Sequence, residues 1–264
     1  MYPTWMSFWG PQGVDAPLQA AGLLVCLIEN EEGVIVDMVG QGTVFFVSDH
    51  GHFRDRQARP GGATGWSPDG HRGRPFRVCN HDACVVQVKV HPSDDVAFGQ
   101  VEVGLPRAGA VPVPLTISSG QLEAGDRVAV LGYPQTTTDS RLSADGSLEF
   151  QLTMKPDFFE GAIIAHHPNG FSLVRSAAYE TSVFPPAWLT NLGGASGGPL
   201  VAEKDHRVYG LLSTSSEMEP GAGGYSVCTD IVSLLNWSLI GQVKGEPLTI
   251  REASARSPRF VRVT

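Results

Sequence analysis

Asn191-Leu-Gly-Gly-Ala-Ser-Gly-Gly-Pro-Leu200 is the stretch from which the fold is read. Ser196 stands among Gly193, Gly194, Gly197 and Gly198, where the backbone is free to take positive φ and turn its own N–H groups towards one point. Such a loop can hold an oxyanion. Acyl transfer needs a nucleophile and donors fixed beforehand about 3 Å from the developing charge, with neighbours small enough to admit a carbonyl. Ser196 is the candidate nucleophile, and the N–H groups of Gly194 and Ser196 are the candidate oxyanion donors. A glycine-rich hairpin turn draws on the same residue types, so the meaning of the loop depends on what surrounds it.

The surroundings are those of a globular protein. With 264 residues, 42% apolar and 17% charged, the chain is long enough for one large core or two small ones. It has no apolar run of bilayer length, so no membrane partner is expected. Met1-Tyr-Pro-Thr-Trp-Met-Ser-Phe-Trp9 lacks the basic n-region, apolar core and cleavage site of a secretory signal. Cys26, Cys79, Cys84 and Cys228 have no CxxC spacing, which speaks against a disulfide scaffold or clustered zinc site and fits reduced thiols in the cytoplasm. A net charge of −8 disfavours a nucleic-acid partner.

Short β-rich runs separated by turn residues follow one another from Leu23-Leu-Val-Cys-Leu-Ile28 through Gly33-Val-Ile-Val-Asp-Met-Val39 and Thr43-Val-Phe-Phe-Val47 to Ala83-Cys-Val-Val-Gln-Val-Lys-Val90. Further strands are expected around 148–154, 158–166 and 171–181. Between Arg54 and Val78 the rhythm stops: six arginines, with glycine, proline and hardly an aliphatic residue, read as an irregular loop. His166 and His167 are adjacent on a strand and point to opposite faces, so they read as a turn-flanking polar pair and not as metal ligands. No metal or organic cofactor is called for.

The full Gly194-Ala-Ser-Gly-Gly-Pro-Leu200 string, followed by Val201 and by Val208-Tyr-Gly-Leu-Leu-Ser-Thr214, resembles the nucleophile loop and next strands of the trypsin-like (chymotrypsin-fold) serine proteases, particularly the bacterial intracellular ones. The resemblance runs from about Leu23 to Ile240. It implies an all-β fold of two six-stranded antiparallel barrels with a short C-terminal helix. The corresponding divisions are an N-terminal arm (1–20), a first barrel (21–106), a linker (107–114), a second barrel with the helix (115–242) and a tail (243–264). The helix is placed in Ile231-Val-Ser-Leu-Leu-Asn-Trp-Ser-Leu-Ile240, after Thr229 or Asp230 as N-cap.

The same resemblance assigns roles. Asp95, before Val96-Ala97, matches the family's DxA aspartate, which holds a histidine in the correct tautomer and stabilises its cation; Asp94 is its neighbour. Gly125-Asp-Arg-Val-Ala-Val-Leu-Gly-Tyr-Pro134 resembles the family's GDxVxxxGYP segment and serves architecture. Ser213-Thr-Ser215 resembles the segment that pairs with an extended substrate, and Thr190 corresponds to the floor of the primary pocket. Ala195 replaces the acid that many secreted relatives carry before the serine, so activation by a newly cut N-terminus is not implied.

One part is missing. After Gly42-Thr-Val-Phe-Phe-Val-Ser48 the family has a TAAH-like turn carrying its catalytic histidine, whereas this chain has Gln57-Ala58-Arg59 near that place. His50, His52, His71 and His81 do not match the motif, and the role is carried to none of them. Residues 54–80 are read either as a true insertion or, as a hypothesis, as the product of a compensated frameshift, since a one-base displacement with suitable codons would yield Val-Thr-Ala-Arg-His-Val. Sequencing the gene across codons 48–85 separates the two. Two functions therefore stand side by side: a serine endopeptidase acting on a polypeptide substrate, and a catalytically inactive domain of the same fold that binds a peptide or protein.

Overall fold

The computed structural model describes residues 20–29, 35–47, 76–78, 83–103, 114–144, 146–171, 176–184, 192–217, 224–238, 248–256 and 262–264. The expected arm up to residue 19, most of the linker, Thr190, and residues 48–75 with 79–82 lie outside them.

The chain is mostly β. Its N-terminal half forms one antiparallel sheet of five strands: β1 (Ala21–Glu29), β2 (Ile35–Phe45), β3 (Phe76–Val78), β4 (Ala83–Val90) and β5 (Ala97–Val103), in the order β2-β1-β3-β4-β5. Among the described residues this sheet does not close on itself. Two details differ from the sequence reading. Gly33–Val39 and Thr43–Val47 are not separate strands; β2 runs through them, and Leu24 faces Gly42 while Val25 faces Gly40, leaving Gln41 as a bulge. The flanking glycines permit that bulge without ending the strand. The end of the arginine-rich segment is also a strand, because Phe76-Arg-Val78 pairs with both β1 and β4 and Val78 is buried.

The C-terminal half is a closed six-stranded barrel, as expected for that half. It consists of β6 (Arg127–Gly132), β9 (Asp157–His167), β10 (Ala178–Thr181), β11 (Pro199–Ala202), β12 (Val208–Glu217) and β13 (Gly224–Asp230), with a separate hairpin of β7 (Thr137–Leu142) and β8 (Leu148–Thr153). β6 and β11 show why their sequences are continuously apolar. Val128 and Val130 on β6, with Leu200 and Ala202 on β11, point into the barrel beside Tyr179 and Leu212. Their neighbours Ala129 and Val201 point outward into a second core that includes Val96, Ile117 and Leu235, with Phe45 and Phe98 from the N-terminal sheet packed on it. Strands buried on both faces need no polar alternation. The seam between the halves is therefore a true core.

The helical expectation for 231–240 is corrected. Only Ile231–Leu234 winds, as a 3-10 turn whose N-cap Asp230 accepts from the Val232 N–H. The α-helix, α1 (Ile250–Arg256), lies in the stretch read as a tail and buries Ile250 and Ala253. Apolar side chains at 231, 234 and 235 do seat in the seam core; the helical offsets were real, but one turn was enough to use them.

Candidate active site

β6 ends where the Ser196 loop begins. Ala195 is fully buried in the barrel interior, and Ser196 beside it faces outward and is exposed. Three amides of the loop are satisfied internally: Ala195 N–H donates to Leu192 O at 2.9 Å, Gly197 N–H to Leu212 O at 2.8 Å and Gly198 N–H to Ala195 O at 2.9 Å. The Gly194 and Ser196 N–H groups have no acceptor among the described residues, nor does Ser196 Oγ. Gly194 and Gly197 hold φ of 86° and 82°, the left-handed region that the alternation of bonded and free amides requires.

A residue from the other half fixes this shape. Thr43 on β2 donates its N–H to Ser196 O at 2.8 Å and its Oγ1–H to Gly194 O at 2.7 Å, while Oγ1 accepts from the Tyr133 N–H at 3.2 Å. Tyr133 is buried, which pushes its hydroxyl up to about 12, and that hydroxyl donates to Ala21 O at 3.3 Å. Residues of the GDxVxxxGYP segment thus brace the loop against β1 and β2. A Cβ on Gly197 would strike the Thr43 carbonyl oxygen in addition to the strained φ. Gly197→Ala is expected to lose about 1–3 kcal/mol, seen as a melting point lower by roughly 5 °C. The control is Gly120→Ala, where the nearest atom to a new Cβ is 3.4 Å away; an equal loss in both variants would contradict the account.

Asp95 comes from the turn before β5. Its Oδ2 accepts from Ser213 Oγ at 2.8 Å. Ser213 is able to reach it because β12 bulges there: Leu212 faces Cys228 and Thr214 faces Val227, so Ser213 is the extra residue, and a bulge re-aims its side chain. Leu212, one residue earlier, both accepts from Gly197 N–H and donates to Gly198 O at 2.9 Å. The carboxylate, the bulge and the Ser196 loop are in this way adjacent. Sequence reading gave Ser213 a place in the segment that pairs with a substrate backbone; its hydroxyl also holds Asp95, and neither the bulge nor the contact of Thr43 has a local signature. Among the described residues Thr214 and Ser215 pair with β13 on one side only, since β11 pairs no further along β12 than Leu211. Thr190 lies outside the described residues.

The described histidines are occupied elsewhere. His91 Nδ1 is 3.2 Å from Asp94 Oδ2, His166 Nε2 is 3.0 Å from the buried Asp230 carboxylate and its ring stacks on Tyr179, and His167 Nε2 is 3.2 Å from Glu180. His206 sits in the turn at the far end of β11 from the loop. The β9 end near Ser196 is Asp157, paired with Gly132; His166 is nine residues further on, roughly 30 Å along the strand. His50, His52, His71 and His81 fall outside the described residues.

Among the described residues no group of three His, Cys, Asp or Glu side chains could hold a metal ion. Burial pushes the Cys228 thiol far above its ordinary range, so it stays a protonated core residue. A cavity of about 610 Å³ lies away from the loop, lined by residues of the 205–207 turn, the end of α1 and the 262–264 strand.

The sequence model for the trypsin-like peptidase domain matches residues 32–211, a span that contains Thr43, Asp95, Ser196 and the start of β12. The chain belongs to the trypsin-like peptidase domain family. No curated protein matches it. Similar solved structures include kallikrein-related peptidase 10, at 17% identity and a TM-score of 0.46 over 81% of this chain and 92% of that one. Neuropsin, a serine protease expressed in the limbic system of mouse brain, is 15% identical with a TM-score of 0.45 over 81% and 91%. An HtrA-type protease with a decapeptide is 11% identical with a TM-score of 0.43 over 94% and 81%.

Proposed function

We propose that this trypsin-like peptidase domain is a serine endopeptidase in which Ser196 attacks the scissile carbonyl and forms an acyl-enzyme. The observation that carries the reading is the pair of amides at Gly194 and Ser196 that, with the Ser196 hydroxyl, have no partner among the described residues, in a loop whose Ala195, Gly197 and Gly198 amides are bonded. Two N–H donors fixed by the bonds of their neighbours stabilise a tetrahedral oxyanion without reorganising as charge develops. The substrate lies extended along the side of β12 that β11 leaves unpaired beyond Leu211, near Thr214 and Ser215. By the family resemblance Thr190, a neutral residue, corresponds to the floor of the primary pocket.

Asp95, held by Ser213, orients the proton acceptor and stabilises its cation. Serine is a weak nucleophile without such an acceptor. None of the described histidines is placed to serve, and no histidine of the sequence matches the family's TAAH-like turn, so the acceptor is not identified in this chain.

A fluorophosphonate probe tests this directly. Stoichiometric labelling of the peptide bearing Ser196 is expected, with a rate that rises as pH passes through roughly 6.5, the titration of an imidazole. An unlabelled Ser196 in folded protein would favour the other reading, an inactive domain that keeps the cleft for binding a peptide or protein; the missing TAAH-like turn is what keeps that reading in view.

A further inference from the structure

We infer that Asp94 is a positioning residue for Asp95, a role that rests on the reading of Asp95 as the residue that orients the base. The two adjacent carboxylates have opposite surroundings. Asp95 is exposed and reaches Ser213, whereas the Asp94 side chain is 0% exposed. Its Oδ1 accepts from the Ser176 N–H at 2.9 Å, a contact spanning 82 residues that ties the turn to the barrel just before β10. Its Oδ2 has no hydrogen bond and lies 3.2 Å from His91 Nδ1.

His91 closes the other side of the turn. Its N–H donates to Val96 O at 2.9 Å, and its Nδ1 accepts from the Asp94 N–H at 3.1 Å and the Ser93 N–H at 3.3 Å. The imidazole packs edge-on against Trp237 at 4.8 Å, and Trp237 also meets Phe98 at 5.0 Å, with the Lys89 ammonium 5.2 Å from the indole. Residues 91–96 are thus gripped from the sheet by His91 and from the barrel by Ser176, with Asp94 joining the two grips.

A carboxylate buried with one oxygen unsatisfied costs stability. Asparagine at this position would keep the acceptor for Ser176 and offer an N–H to His91 Nδ1, so nothing in the packing alone demands a charge. What the site holds is a planar group bonded to Ser176 through one end and set against His91 at the other. Its output is the direction of the next side chain, because a turn free to rotate would carry Asp95 off Ser213.

The test has two arms. In the first, kcat is measured per fluorophosphonate-titrated site: Asp94→Leu is expected to lose about tenfold with KM within twofold, and Asp94→Asn to restore kcat to within twofold. The second is a stability cycle with Asp94→Leu and Ser213→Ala, two residues with no recorded contact. If Asp94 aims Asp95, adding Ser213→Ala to Asp94→Leu shifts the unfolding midpoint by less than half of what it does in the parent. Additive shifts overturn the positioning role. Should Asp94→Leu fail to fold, Asp94→Ala carries both arms. A parent protein that takes no label sinks the peptidase reading alone, and the cycle still decides the role of Asp94.

Discussion

Ser196→Ala is expected to abolish peptide hydrolysis, lowering kcat on the order of 10⁵–10⁶-fold, while leaving the fold intact. Removing this hydroxyl breaks no contact among the described residues, where Ser196 Oγ has no partner and the side chain is exposed. The backbone there does not take positive φ, so alanine is accommodated. The bonds that shape the loop come from Ser196 O, Gly194 O and the neighbouring amides, all of which survive. The melting point should therefore match the parent within a degree or two, and the fluorophosphonate label should disappear with the activity. Hydrolysis surviving in purified Ser196→Ala protein would remove Ser196 from the chemistry.

Asp95→Asn separates geometry from charge. The amide oxygen of asparagine still accepts from Ser213 Oγ, so the contact at 2.8 Å is kept. Lost are the negative charge that stabilises an imidazolium and the acceptor that fixes the imidazole tautomer; a fall in kcat of about 10⁴-fold follows. Because Asp95 is exposed, unfolding midpoints should barely move. Steady-state kinetics on a peptide substrate, alongside a melt of the same preparation, checks both halves. A loss smaller than tenfold would return Asp95 to the status of an ordinary turn residue.

Legibility in the sequence followed the range over which each feature is encoded. The Ser196 loop could be read because its four glycines and its serine are contiguous, and the structure uses Gly194 and Gly197 at the φ values they alone favour. Strands β1 and β4 could be read because their apolar pattern is local. Asp95 was found through the short Asp-Val-Ala step. Thr43 and the bulge at Ser213 were not, because their roles exist only in register: Thr43 meets Gly194 across 151 residues, and Ser213 meets Asp95 across 118. β3 was hidden because three residues, two of them apolar, are too few to stand out against an arginine-rich background. The helix was misplaced for a related reason: Ile231, Leu234 and Leu235 match helical offsets but are satisfied by one 3-10 turn, while Ile250 and Ala253 bury a shorter stripe than a periodicity search detects.

The clasp of Thr43 on Gly194 and Ser196 also bears on how the chain comes into being. Thr43 leaves the ribosome 151 residues ahead of Gly194, and the clasp between them closes only when barrel and sheet have met. A nascent chain, or a fragment that begins after β2, carries Ser196 without the clasp that aims its amides. The clasped form of the loop belongs to the finished molecule.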